Sequence, residues 1–155
     1  MKLLFVCLGN ICRSPSAEAV ARRLIAARGM DGCIQCDSAG TGDWHLGHAP
    51  DKRAQAAGAK RGYELAQLRA RLLTAQDFSD FDLILVMDDS NLANARALQP
   101  TNSHARLQRL LDYLPDQPLR EVPDPYYGGD EGFEQVLDLL EAAINALLDE
   151  LQQKC

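Results

Sequence analysis

The residues best suited to chemistry lie together near the N-terminus, in Cys7-Leu8-Gly9-Asn10-Ile11-Cys12-Arg13-Ser14-Pro15. A thiol, a guanidinium and a hydroxyl share one short loop with a run of backbone N–H groups. Such a set can grip a tetrahedral oxyanion and attack it. The spacing of Cys7 and Arg13 carries little weight alone, and the flanking residues supply the rest. Gly9 relieves the steric limits of a tight loop, and Asn10 tolerates left-handed dihedrals. The N–H groups of the loop can then turn inward as an anion nest, with the positive end of a following helix behind them. That field favours the thiolate of Cys7. The planar fork of Arg13 suits two equatorial oxygens of a phosphate, a fit that Lys could not match. Ser14 can donate a hydrogen bond to the sulfur. No Gly-Lys-Ser/Thr follows, so the loop is not of the Walker type.

The elements needed to hold this loop can be read from the pattern around it. Leu3 to Val6 is a continuous apolar run, which suits a strand buried on both faces of a parallel sheet. Ser14 fits an N-cap and Pro15 the first helical position. Ala17, Val20, Ala21, Leu24 and Ile25 then form one apolar face of a helix closed by Gly29. A second strand is expected over Cys33 to Ala39, followed by a glycine-rich loop from Gly40 to Pro50 that carries Trp44, the only tryptophan. Asp51 to about Lys60 reads as an alanine-rich helix ending near Gly62. Thr74 to Asp77 resembles a capping box with Asp in place of Glu. Leu83 to Met87 is a third apolar strand, with Asp88 to Asn91 capping a helix that stops before Pro100. A fourth short strand is expected within Arg106 to Leu111, then loop from Pro115 to Gly129. A final long helix carries Phe133, Val136, Leu137, Leu140, Ile144, Leu147, Leu148 and Leu151 on one stripe. Strands alternating with helices imply an α/β fold with a parallel sheet covered on both faces. Its crevice should lie at the strands' C-terminal ends, where Cys7 falls.

Bulk properties narrow the function classes. At 155 residues the chain is expected to form one domain, residues 1–155. A formal net charge of −6 argues against nucleic-acid or anionic-membrane partners, so any anion site must be local. The opening apolar run breaks at Gly9-Asn10, too short for a signal peptide, and no stretch approaches a membrane span. Five cysteines, an odd number in a chain of this size, suggest a reduced cytoplasmic protein. Cys33-x-x-Cys36 invites a metal or redox reading. Residues three apart in a strand point to opposite faces, however, so both are read as strand packing.

The Cys7 to Pro15 loop resembles the phosphate loop of the low-molecular-weight protein tyrosine phosphatases. Asp124-Pro125-Tyr126-Tyr127-Gly128 resembles that family's general-acid loop. Asp37 to Thr41 and Met87 to Asn91 also match its pattern, so the similarity runs nearly end to end. The resemblance implies a three-layer flavodoxin-like fold whose four parallel strands stand in order 2-1-3-4. It makes Cys7 the nucleophile, Arg13 the phosphate clamp and Asp124 the acid and then the base of a cysteinyl-phosphate mechanism. Leu8, Gly9, Asn10, Ile11, Cys12 and Ser14 become the phosphate-binding loop, with Ser38 hydrogen-bonded to Asn10 as its support. Trp44, Tyr126 and Tyr127 would line a slot for the phosphotyrosyl ring. Cys12 would trap an oxidised Cys7 as a reversible disulfide. Arg13 and the N–H nest supply the positive charge, so no metal or other cofactor is implied.

The implied partner is a phosphotyrosine protein, with phosphate as product and inhibitor. The loop from Gly40 to His45 looks more like bacterial members, several of which act on bacterial tyrosine kinases of polysaccharide export. His45 and His48 are expected on the exposed loop rather than in catalysis. The family often has His-Gly where this chain has Arg61-Gly62, so a structural role for that histidine does not carry over. Two other functions compete. A thioredoxin-coupled arsenate reductase resembles the same fold and loop, but needs two further relay cysteines near the third strand, and residues 74 to 104 contain none. A non-catalytic phosphate- or flavin-binding module would have no need of a reactive cysteine.

Overall fold

A computed structural model describes residues 1–155. The central strand β1 (Lys2–Cys7) leads through the Cys7 to Arg13 loop into α1 (Arg13–Ala27). There follow β2 (Gln35–Gly40), α2 (Lys52–Lys60), a one-turn α3 (Asp77–Asp80), β3 (Leu83–Val86), α4 (Asp89–Leu98), β4 (Arg106–Arg109) and α5 (Asp130–Gln152). All four strands are parallel, in the order β2-β1-β3-β4. This is the order that the resemblance implied.

The period of two along β1 and β3 divides the core. Leu3, Phe5, Leu83 and Leu85 face α1 and α5, where Val20, Ile25, Leu140, Ile144 and Leu148 complete the larger apolar cluster. Leu4, Val6, Ile84 and Val86 point the other way, against Phe78, Phe81 and Ala95 on the side of α3 and α4. Every residue of the two strands from Leu3 to Val6 and Leu83 to Val86 is buried, as expected for strands with helices on both faces. The register pairs Cys7 with Gly40, so the loop leaves the sheet at its C-terminal edge.

Local details depart from the sequence reading in four places. The first is the start of α1, where Cys12 takes the N-cap position without a side-chain cap and Pro15 sits within the first turn. Ser14 is free to do something else. At the second, the supposed capping box at Thr74, only the Asp77 half forms: its carboxylate accepts the Thr74 N–H at 2.9 Å. Third, Arg61 stands just past α2 and ion-pairs with Glu134, Asp138 and Glu141, tying α2 to α5 where the family often has a histidine.

The fourth concerns the cysteines. Cys33 lies before β2 rather than in it, and is disulfide-bonded to Cys155, which corrects the reading of Cys33 as strand packing and of all five cysteines as reduced. The return of the 23-residue α5 toward the N-terminal edge of the sheet brings these two together, a meeting that no local pattern reports. Cys36 does pack as a partly buried thiol, with burial pushing its pKa up to about 12.

Candidate active site

The Cys7 to Arg13 loop closes around its own sulfur. Asn10 is the only non-glycine residue with positive φ, at 57°, and this turn lets its N–H donate to Cys7 Sγ at 3.3 Å. Ser14 Oγ lies 3.0 Å from the same sulfur. Of the N–H groups from Leu8 to Ser14 only that of Asn10 donates to a protein acceptor, which leaves six donors unpaired beside Cys7 at the start of a 15-residue helix.

Side chains lock the strained loop from beneath. Asn10 Nδ2 donates to Ser38 Oγ at 3.0 Å and to Ser14 Oγ at 2.8 Å, while Asn10 Oδ1 accepts the Arg71 N–H at 2.9 Å. Asn10, Ser14 and Ser38 are all buried. The contact between Asn10 and Ser38 is the one expected. Gly40 makes the packing possible: a Cβ there would stand 2.8 Å from the Leu8 carbonyl oxygen and 3.1 Å from Asn10 Cβ.

Arg13 is 3% exposed and held from behind. Its Nη1 donates to Asp88 Oδ2 at 2.8 Å and to the Val122 carbonyl at 2.9 Å, and its Nη2 lies 3.7 Å from Asp124 Oδ2. Burial alone would lower its basicity, but the negative charges at Cys7, Asp88 and Asp124 outweigh that and raise it above the ordinary value. Cys12 is also buried, and its thiol is pushed well above the ordinary cysteine range, by burial first and then by the charges of Asp51, Cys7 and Asp124.

Asp124 reaches the site on a loop pinned at both ends. Upstream, the Val122 N–H donates to the Met87 carbonyl at 2.8 Å, fastening the loop to the end of β3. Downstream, Arg53 donates to the Tyr126 carbonyl at 2.8 Å and lies over the rings of Tyr126 and Phe133. Asp124 Oδ1 accepts the Tyr126 N–H at 3.1 Å, which leaves Oδ2 facing the cavity.

These elements enclose a cavity of about 370 Å³ with Cys7, Cys12 and Arg13 at its base. Leu8, Ile11, Trp44, His45, Asp124, Tyr126 and Tyr127 form its walls. The indole of Trp44, 67% exposed, passes over Gly42, where a Cβ would fall 2.0 Å from the ring. Tyr126 and Tyr127 meet edge to face at 5.0 Å between ring centroids, and Tyr127, at 93% exposed, belongs to the rim. His45 corrects the sequence reading: it is half-buried and lines the cavity, while His48 stays exposed.

Several residues of the site were missed in the sequence. Asp88 read only as a helix cap, and Val122, Arg53, Arg71 and Glu18 carried no reading at all. Glu18 was detectable, as a carboxylate set among Ala17, Ala19, Val20 and Ala21 on a helix with little polar face.

A parallel sheet of this order, with an open nest of N–H donors, a thiol and a guanidinium at the end of its first strand, defines an α/β protein built to handle a phosphoryl group. The sequence model of the low molecular weight phosphotyrosine protein phosphatase family matches residues 2–155. A putative low molecular weight protein-tyrosine-phosphatase of Synechocystis is 51% identical over 152 residues, covering 97% of this chain and 96% of the relative. The crystal structure of YfkJ from Bacillus subtilis superposes with a TM-score of 0.92 at 42% identity, covering 99% of this chain and 96% of that one. Vibrio vulnificus Wzb in complex with benzylphosphonate gives 0.84 at 25% identity, covering 97% and 98%. The chain belongs to the low molecular weight phosphotyrosine protein phosphatase family. It is a protein-tyrosine phosphatase.

Proposed function

We propose that Cys7 attacks the phosphorus of a phosphotyrosine ester while Asp124 protonates the departing oxygen. An S–P bond forms, the P–O bond to the ring breaks, and the proton of Asp124 goes to the phenolate. Water then attacks the cysteinyl phosphate, the S–P bond breaks, and Asp124 takes the proton from water. The equatorial oxygens rest on Arg13 and on the N–H groups of the Leu8 to Ser14 loop throughout. Ser14 stabilises the sulfur as nucleophile and as leaving group, and Ser38 supports the loop through Asn10.

The observation that carries this reading is a loop of N–H groups without protein acceptors that lines one cavity with Cys7, Arg13 and Asp124. Trp44, Tyr126 and Tyr127 supply flat apolar surface for the substrate ring. The benzylphosphonate held by Wzb, a phosphonate on an aromatic ring, supports a substrate of this shape. A tyrosine-phosphorylated protein, of the class of bacterial tyrosine kinases, is the partner this reading favours, with phosphate as product and competitive inhibitor. No helix is long and apolar enough to cross a membrane.

Arsenate reduction would require relay thiols that residues 74 to 104 do not contain. The test is hydrolysis of p-nitrophenyl phosphate and of a phosphotyrosine peptide by wild type and Cys7→Ser. Loss of turnover in the variant is expected, and full activity would sink the covalent mechanism.

A further inference from the structure

Glu18 stands on α1 one turn past Ser14, 2% exposed, and none of the chemistry above uses it. Burying a carboxylate is costly unless its oxygens are paired. Here they are paired unequally. Oε2 takes both Nε and Nη2 of Arg22, at 2.8 and 2.6 Å, and Arg22 itself is 58% exposed. Oε1 turns inward and accepts the hydroxyl of Ser38 at 2.8 Å.

Proton counting fixes the rest of the chain. A carboxylate only accepts, and a hydroxyl has one proton to give. The proton of Ser38 is therefore committed to Glu18, and its lone pairs are left for Asn10 Nδ2 at 3.0 Å. The amide of Asn10 cannot flip, because its Oδ1 accepts the Arg71 N–H at 2.9 Å. Its other amide hydrogen goes to Ser14 Oγ at 2.8 Å. Ser14 then has its own proton left over, with Cys7 Sγ at 3.0 Å and the Ala39 carbonyl, a weaker partner, at 3.4 Å.

We propose, on the reading of Cys7 as the nucleophile, that Glu18 is a positioning residue for it. Through Ser38, Asn10 and Ser14, Glu18 orients the hydroxyl proton that stabilises the sulfur anion. Remove the acceptor at Glu18 and the Ser38 proton is free to turn, the Asn10 amide loses a fixed partner, and Ser14 can swing its proton to Ala39. The titratable groups facing Glu18 are Arg22 on its own helix and Cys36 on β2, with Asp37 beyond them against Arg22 and Cys36. Those facing Cys7 are Arg13 and Cys12, with Asp124 beyond them against both. Of these groups only Arg22 is changed in the variants below, and those facing Cys7 all stay in place.

The test is inactivation by iodoacetate as a function of pH, with inorganic phosphate as protectant, for wild type, Glu18→Gln, Arg22→Ala and Ser38→Ala. In Glu18→Gln the half-maximal pH of alkylation should rise by about 0.5–1 unit, from partial loss of a hydrogen bond to an anion. The loss in turnover should fall on kcat with little change in KM. Arg22→Ala should shift the profile the same way by less. Glu18→Gln in a Ser38→Ala background should add nothing, because the chain is already cut. A Glu18→Gln profile that overlays the wild type, with only a lower melting temperature, overturns the proposal. If Glu18→Gln does not fold, an unshifted profile in Ser38→Ala does the same. Wild-type activity that survives iodoacetate, or is lost equally fast in the presence of phosphate, would instead refute Cys7 as nucleophile and remove the premise before any variant is compared.

Discussion

Replacing Asp88 by Ser should separate the aim of Arg13 from the folding of the helix that Asp88 caps. The two carboxylate oxygens do different work. Oδ1 accepts the Asn91 N–H at 2.7 Å, within a capping box that begins α4, and Oδ2 accepts Arg13 Nη1 at 2.8 Å. A serine hydroxyl is a good N-cap, so Asp88→Ser keeps the first role. It is too short and carries no charge, so it loses the second. A hydrogen bond between charged groups contributes about 1.5–3 kcal/mol, and Asp88 is partly exposed, which places the loss near the lower end. Arg13 retains the Val122 carbonyl through the same Nη1. At about 1.4 kcal/mol per decade, kcat/KM for p-nitrophenyl phosphate should fall roughly ten- to thirtyfold, and the inhibition constant for inorganic phosphate should rise in parallel. Asp88→Ala should show the same kinetic loss and a further ~1 kcal/mol in urea melts, from the missing cap. If Asp88→Ser retains wild-type kcat/KM, the pairing of Asp88 with Arg13 does not set the clamp, and the reasoning fails.

Asp124→Ala should slow substrates with poor leaving groups far more than p-nitrophenyl phosphate, because only the former need a proton in the first step; equal losses across a leaving-group series would exclude the acid role. Peroxide should inactivate the enzyme reversibly by linking Cys7 to Cys12. The Cys12 thiol is protonated and slow at neutral pH, since burial and nearby charge raise its pKa, but a neutral sulfenic acid at Cys7 removes one of those charges, so trapping should speed up as pH rises. Dithiothreitol recovery no better in wild type than in Cys12→Ser would refute it. Cys155→Ser should cost about 2–4 kcal/mol, roughly 5–15 °C in melting temperature, because the bond closes a loop between cysteines 122 positions apart in sequence. Catalysis should be unchanged, since that bond lies at the opposite edge of the sheet from Cys7; a coincident loss of kcat would contradict this.

What the sequence disclosed follows from how far each interaction reaches along the chain. The strands announced themselves because β1 and β3 are buried on both faces and must be apolar throughout. The loop was legible because Cys7, Asn10, Arg13 and Ser14 fall within one turn of chain, where spacing is geometry. Asp124 was legible only through the resemblance, since an Asp before a proline is otherwise a turn residue. Arg61 and Cys33 act across the packing of α5 on the sheet, and nothing local to either residue announces the partner.

Glu18 and Asp88 mark the sharper limit: Asp88 carried a correct local reading that concealed a second role, and Glu18, which carried none, stands at a spacing whose ordinary meaning would have concealed one. Glu18 and Arg22 stand four apart on α1, a spacing that ordinarily means a solvated pair contributing a few tenths of a kcal/mol. Asp88 and Asn91 form a cap that needs no other explanation. In each case one carboxylate oxygen satisfies the helix or the surface and the other serves the site. Glu18 splits its oxygens between Arg22 and Ser38, and Asp88 between Asn91 and Arg13. A carboxylate can do this because it offers two acceptors on one rigid group. The two residues approach the loop from opposite sides, Glu18 toward the sulfur and Asp88 toward the guanidinium. Loss of Glu18 should therefore alter the nucleophile and leave phosphate affinity intact, whereas loss of Asp88 should weaken phosphate binding and leave the alkylation profile in place.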